Sequence, residues 1–362
     1  MGQFPETSTE IITLDVCPWS AGHPRNDAQA IFPLSGDRLL LAWSEYYATA
    51  PAQIVQPRGA ADTGDQMPCR LSFKISTDSG RTWSETLTLQ DNPGAHNVKH
   101  PNFLRLPSGE ILLAYTVWFS ATSRQIFLRR SPDEGETWAP AFQIRQPPGF
   151  NNINNDHILQ MKSGRIILPA FNTPIIWAVG EHQRAFCCYS DDEGRTWTYG
   201  EKWVDLPKRG AEEPCIVERR DGSLAMFLRC QLGSIYRSVS ADGGQTWSEA
   251  ESTGVKAPAS PALVKRIPAT GDLLLVWNHN YEPAHHHQGA RTPLATAVSA
   301  DDGATWGHIR DLEVVPDGAA AYASLLFHGD EALIAYYYQP RLNQGGAANI
   351  RLKIVPLRWF YE

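Results

Sequence analysis

The chain is poor in the features that cross-link a protein or tie it to a membrane. Its 362 residues hold six cysteines, Cys17, Cys69, Cys187, Cys188, Cys215 and Cys230, with no Cys-x-x-Cys spacing and no disulfide-rich pattern. Free, mostly buried thiols in a reducing compartment are therefore expected. No apolar run approaches the roughly 20 residues of a membrane-spanning helix. Basic residues are also short: 32 Lys and Arg stand against 39 Asp and Glu, a formal charge of −7, with no long basic block. That balance argues against nucleic acid or an anionic membrane as partner. The opening Met1-Gly2-Gln3-Phe4-Pro5-Glu6 shows neither a basic n-region nor an apolar h-region, and Glu6 stands where a myristoylation motif needs Ser or Thr. A soluble, cytoplasmic chain is the expectation.

What the chain has instead is repetition. The pattern Ser-x-Asp-x-Gly-x-Thr-Trp occurs at Ser76–Trp83, Ser131–Trp138, Ser190–Trp197, Ser240–Trp247 and Ser299–Trp306, with starts 55, 59, 50 and 59 residues apart. Repeats at such a period decide architecture. Within each box the Asp accepts backbone N–H bonds that fix a turn, and the Gly supplies a positive φ. Thr and Trp then lead back into a strand.

A second signal accompanies the first. A Gly followed by a short apolar run appears at Gly36, Gly109, Gly164, Gly222, Gly271 and Gly329. Runs of this length between Gly-rich turns predict buried strands. The sixth unit carries no box and ends in the alternating Ile350-Arg351-Leu352-Lys353-Ile354-Val355, while Glu10–Val16 is a lone strand with no partner nearby in sequence. Pairing these ends would close a ring. The expectation is an all-β, six-bladed β-propeller with five Asp-box hairpins, residues 1–362 forming one domain.

Box Asp residues are committed to their own turns, so chemistry is expected in the loops that enter the innermost strands and directly precede each Gly-apolar run. Those stretches are polar: Gly22–Asp27, His96–Asn102, Asn151–His157, Arg209–Pro214 and Ala320–Ser324. Brought to one axis they form a funnel of Arg, Asp, Asn, His, Glu and Tyr.

The boxes and this funnel resemble the sialidase (neuraminidase) superfamily of six-bladed Asp-box propellers, over nearly the whole chain. The resemblance implies a site, residue by residue. Arg25, 11 residues before Gly36, Arg229, at the end of the run after Asp221-Gly222, and Arg291, eight before Ser299, match three arginines that bind a substrate carboxylate. Arg237 is a rival to Arg229. Tyr322, in Ala321-Tyr322-Ala323-Ser324-Leu325, matches the nucleophile, although Ala323 replaces the usual Ser. Glu213 matches its base, with Glu212 also open, and Asp65 or Asp62 matches the acid/base.

The chemistry is coherent. Sialic acids are 2-keto acids, so the carbon under attack bears a carboxylate. Arg binds carboxylate with a planar fork that stays charged. A neutral Tyr avoids the repulsion that a carboxylate nucleophile meets there, and needs a neighbouring base because its ordinary pKa is about 10. The function implied is an exo-acting glycoside hydrolase that removes a terminal acidic sugar with retention, without a cofactor. Asp27, His100, Asn155 and His157 join the list as hydrogen-bonding partners for the sugar. His23, His100 and His157 occupy equivalent loops and depart from the family pattern; no metal is expected there. The departure keeps open a hydrolase or lyase for another sugar acid, such as a uronic acid, and a sugar-binding propeller without catalysis.

Overall fold

A computed structural model describes residues 10–47, 63–342 and 347–362. Among them there is no α-helix, only strands and three short 3-10 helices, and no helix is long and apolar enough to cross a membrane. The strands form five sheets, four with four strands and one with nine.

The first repeat sets the pattern. Asn26–Pro33, Leu39–Tyr46, Cys69–Ser76 and Leu87–Gln90 pair antiparallel in chain order. Its Gly-apolar run becomes the second strand, buried throughout. Its box starts at the end of the third. The order returns in Glu212–Glu218, Leu224–Arg229, Ser234–Ser240 and Glu251–Lys256, and again in the sheet from Leu263–Arg266 to Gly307–Glu313. In the last sheet Ala319–His328, Glu331–Gln339 and Asn349–Pro356 are completed by Ile12–Cys17, which pairs antiparallel with Asn349–Pro356 at Ile12↔Ile354 and Leu14↔Leu352. The expected pairing of the chain ends is present. Six separate sheets are not: the second and third repeats share the nine-stranded sheet, joined by the parallel contact Phe150↔Arg124.

The second strands are apolar on both faces because alternate residues serve different cores. Leu40 and Ala42 pack with Phe103 and Leu113 of the second repeat, whereas Leu39, Leu41 and Trp43 pack with Leu333 and Leu352 of the last. Leu112 and Ala114 likewise face the third repeat while Leu113 and Tyr115 face the first. All six cysteines are buried and free within these layers.

Each box is a closed hydrogen-bonding unit. In the third, Asp192 Oδ1 accepts from the N–H groups of Arg195 and Thr196 at 3.0 and 2.8 Å and from Ser190 Oγ at 2.8 Å, and Oδ2 accepts from Thr196 Oγ1 at 2.6 Å. The turn needs two consecutive left-handed residues. Gly194 takes one (φ 75°), as expected, but Glu193 takes the other at φ 56°, a role also filled by Ser79, Glu134 and Asp302. The slight burial of Asp192 raises its pKa, but bonds from Thr196, Ser190 and Arg195 outweigh this and hold the carboxyl at about 2. A folded-state pKa below the unfolded one means stability present above about pH 4 and lost as pH falls toward 2. Asp192→Ala should lower the free energy of unfolding in urea at neutral pH by about 1 kcal/mol, and its stability should decline less than that of the wild type between pH 4 and 2.

Candidate active site

A regular strand sends consecutive side chains to opposite faces. Four first strands break that rule at the same place. The registers Asp27↔Ser44 and Ala30↔Ala42, Lys99↔Thr116 and Asn102↔Ala114, Glu212↔Arg229 and Cys215↔Phe227, and Ala321↔Tyr337 and Ser324↔Ala335 each place two residues opposite one. The first extra residue is left-handed every time: Ala28 (φ 51°), His100 (62°), Glu213 (37°) and Tyr322 (56°). Such one-residue bulges re-aim a side chain. The expected site residues thus lie largely on bulged strands and not on the loops that precede them, because the polar stretches themselves enter the sheets.

Tyr322 and Glu213, 109 residues apart in sequence, meet: the Tyr322 hydroxyl donates to Glu213 Oε1 at 2.8 Å. Arg229 Nη1 donates to Glu213 Oε2 at 2.6 Å and lies 3.4 Å from the Tyr322 oxygen. Burial raises the pKa of Glu213, but the Arg229 charge and the bonds from Arg229 and Tyr322 outweigh it, so the carboxyl sits below its usual range. Burial, followed by the Glu213 charge, pushes the Tyr322 hydroxyl up, against Arg291 and Arg229. The pair is a neutral phenol hydrogen-bonded to a carboxylate. Arg291 stands over the Tyr322 ring, Cζ 5.3 Å from its centroid, and donates to Tyr337 Oη at 3.0 Å.

The other side holds Arg25, whose Nη2 is 2.6 Å from Asp27 Oδ2 and 2.7 Å from Asp65 Oδ1. Lys99 Nζ reaches the same carboxylates at 3.3 and 3.8 Å. Asp27 is buried, whereas the Asp65 side chain is 45% exposed. Desolvation raises the Asp65 pKa, but Arg25 and Lys99 dominate and hold it well below the usual carboxylate range. Asp62 lies outside the described residues.

A family model for a BNR repeat-like domain matches residues 54–334. The chain belongs to the BNR-repeat (sialidase) superfamily. A sialidase of Micromonospora viridifaciens is 27% identical over 298 residues, covering 71% of this chain and 43% of the relative, so the chain spans less than half of that relative's length. A structure of unknown function from Dyadobacter fermentans superposes with a TM-score of 0.73 at 20% identity, covering 96% of this chain and 99% of the other. A sialidase of Streptococcus pneumoniae superposes with a TM-score of 0.71 at 13% identity, covering 95% of this chain and 70% of that one. These likenesses establish a shared fold.

Within that BNR-repeat fold, several residues expected to touch a sugar are turned to the backbone. Asn155 is fully buried, and its Nδ2 donates to the carbonyls of Gln29 at 2.7 Å, Tyr322 at 3.2 Å and Ala323 at 3.4 Å. His157 Nδ1 donates to the Pro214 carbonyl at 3.0 Å, and burial brings its pKa down to about 4, leaving it neutral. Each therefore braces a bulge, Asn155 that of Tyr322 and His157 that of Glu213. Arg237 is not with the cluster; it donates to the Gly303 carbonyl and pairs with Glu251. His23 bonds the Tyr46 carbonyl through Nδ1 at 3.2 Å. Among the described residues no group of three or more His, Cys, Asp or Glu is placed to hold a metal ion. Sequence reasoning named the stretch His96–Asn102 without singling out Lys99, and it missed Arg124 and Tyr337, each inside a strand where no motif marks it.

Removing the brace should register in stability. Asn155→Ala strips donors from buried carbonyls and should lower the free energy of unfolding by about 1–3 kcal/mol in a denaturant titration. A loss below roughly 0.5 kcal/mol, the range of an ordinary surface substitution, would mean the Tyr322 bulge holds itself.

Proposed function

We propose that the chain is a sialidase-like exo-glycoside hydrolase, folded as one domain in a six-bladed propeller whose ring is closed by the paired chain ends, and acting on a terminal 2-keto sugar acid. The observation that carries this reading is the contact of Tyr322, Glu213 and Arg229: a phenol hydrogen-bonded to an ionised carboxylate beneath a guanidinium. The name of the Micromonospora viridifaciens relative, a sialidase, supports it.

In this reading Arg25, Arg229 and Arg291 bind the substrate's carboxylate, each guanidinium having spare N–H groups beyond its present partners. Glu213 accepts the Tyr322 proton as the phenolic oxygen attacks the anomeric carbon and the bond to the leaving oxygen breaks. Asp65 is the proton donor to that oxygen. In the structure it is ion-paired with Arg25 and ionised. A carboxylate arriving at Arg25 competes for the guanidinium, weakens that pair and lets the Asp65 pKa rise toward what an acid requires. Asp65 then takes a proton from water, which attacks the same carbon from the vacated side, and the proton held by Glu213 returns to Tyr322. Two displacements give retention. The scheme uses no metal or cofactor, and the same proposal takes the enzyme to be soluble and cytoplasmic.

The test is release of a fluorescent phenol from its α-glycoside of N-acetylneuraminic acid. Wild type should turn over, and Tyr322→Phe should lose roughly a hundredfold or more in kcat while still binding. Arg291→Lys, which keeps the charge but not the fork, should raise KM by about tenfold. Undiminished turnover by Tyr322→Phe would remove the nucleophile assignment. No turnover by wild type would move the substrate to another sugar acid, tested next with a panel of uronides.

A further inference from the structure

Among the described residues, one buried cation of the site has no ion-pair partner. Arg124, on the strand Ser123–Ser131, is 5% exposed. Its Nε donates to Thr116 Oγ1 at 3.0 Å and its Nη2 to Asn97 Oδ1 at 3.3 Å. The guanidinium lies over the rings of Trp118 and Phe150, 5.5 Å from each centroid. Neither neutral acceptors nor rings cancel a charge, and among the described residues no Asp or Glu forms an ion pair with it. Burial brings its pKa down to about 10, more than the surrounding Tyr46, Cys69, Asp65 and Asp27 offset.

The neighbouring charges do not fill the gap. Asp27 and Asp65 are already shared by Arg25 and Lys99. Among the described residues Arg25, Lys99 and Arg124 thus face two carboxylates, with the charge of Arg291 also bearing on Asp65, so negative charge is in deficit. Asn97 ties Arg124 to that group, its Oδ1 accepting from Arg124 and its Nδ2 donating to the Asp65 carbonyl at 2.7 Å. Two more buried groups here lack partners: His100 Nδ1, in a residue 4% exposed on its bulge, and the hydroxyl of the fully buried Tyr46. Buried charges are normally paired, and buried polar atoms normally bonded. Both shortfalls in one place indicate a group supplied from outside.

We infer that Arg124, with His100, forms a second oxyanion subsite that selects sugar acids carrying another oxyanion substituent besides the carboxylate. The inference rests on the proposed function only for the first carboxylate. The N–H groups of Arg124 Nη1 and the remaining one on Nη2 suit end-on recognition of such a group.

The probes are sodium sulfate and, separately, sodium acetate, titrated calorimetrically into wild type, Arg124→Met and Arg291→Met; Met keeps an unbranched apolar stem and removes the charge. Two anion sites are expected in wild type. Arg124→Met should weaken one at least tenfold and spare the other, and Arg291→Met should do the reverse. Preference of the Arg124 site for sulfate points to a sulfate ester, and preference for acetate to a second carboxylate. Unchanged binding in Arg124→Met overturns the inference while leaving the carboxylate clamp standing. A single anion site in wild type, weakened in Arg124→Met and unchanged in Arg291→Met, sinks the proposed carboxylate clamp and not this subsite. Should Arg124→Met not fold, crystals of wild type soaked in selenate decide: an anomalous peak within hydrogen-bond distance of Arg124 supports the subsite, and peaks only at Arg25, Arg229 and Arg291 overturn it.

Discussion

The site depends on a local departure from strand geometry. Backbone in the left-handed region costs a non-glycine residue about 1–3 kcal/mol, and Ala28, His100, Glu213 and Tyr322 all adopt it at matching bulges. The surroundings hold this conformation in place. Gln29 donates to the Tyr322 carbonyl, and Asn155 bonds the carbonyls of Gln29, Tyr322 and Ala323. Asp156 accepts from Ser324 Oγ at 2.7 Å and from the Leu325 N–H at 2.9 Å just beyond the bulge. Asn102 Oδ1 accepts the N–H groups of His157 and Ile158, placing His157 against Pro214 beside Glu213. The buried polar residues form a scaffold whose product is the direction of two side chains.

Electrostatics then distinguishes Glu213 from its neighbour Glu212. An alternating chain runs inward: Glu181 pairs with Arg209 at 3.1 Å, Arg209 with Glu212 at 2.9 Å, Glu212 with Arg229 at 3.4 Å, and Arg229 with Glu213 at 2.6 Å. Glu212 is enclosed between two cations, and burial pushes its pKa up. Glu213 has one carboxylate oxygen on Arg229 and the other on Tyr322. Alternation of sign makes burial of so many charges tolerable, and the chain ends on the one neutral member, the phenol. An uncharged group at that end suits a ligand that brings its own negative charge.

Much of this was legible in the sequence. The five boxes and six apolar runs locate the strands, and of the residues the resemblance pointed to, Tyr322 meets Glu213 and Arg229 with Arg291 over its ring, while Arg25 meets Asp65. The bulges were not legible, since Ala28, His100, Glu213 and Tyr322 share no side-chain chemistry that marks a left-handed position. Composition also misled for Asn155 and His157: polar residues near an axis suit hydroxyls, but these two serve carbonyls left unpaired by the bulges. The merger of the second and third repeats rests on one parallel contact at Phe150, too local to leave a pattern. Arg124 was hidden for a related reason, since a charged residue in an alternating strand reads as solvent-facing until the next repeat covers it.

The boxes themselves hold none of the bulged residues, yet they set the spacing on which those residues rely. Each box glycine packs on the preceding repeat, and that of the first box packs on the last: a Cβ at Gly80 would stand 2.8 Å from Leu333 Cδ2, one at Gly244 2.5 Å from Cys187 Sγ, and one at Gly303 2.6 Å from Phe227 Cζ. Only glycine lets neighbouring repeats approach this closely. Tyr322 and Glu213 belong to different repeats, as do Arg25 and Lys99, so their contacts are distances between repeats. A shift of a few tenths of an ångström at a box changes little in the turn itself. Carried across a stiff, close-packed layer, it moves the Tyr322 phenol relative to the Glu213 carboxylate, where hydrogen bonding tolerates only small errors.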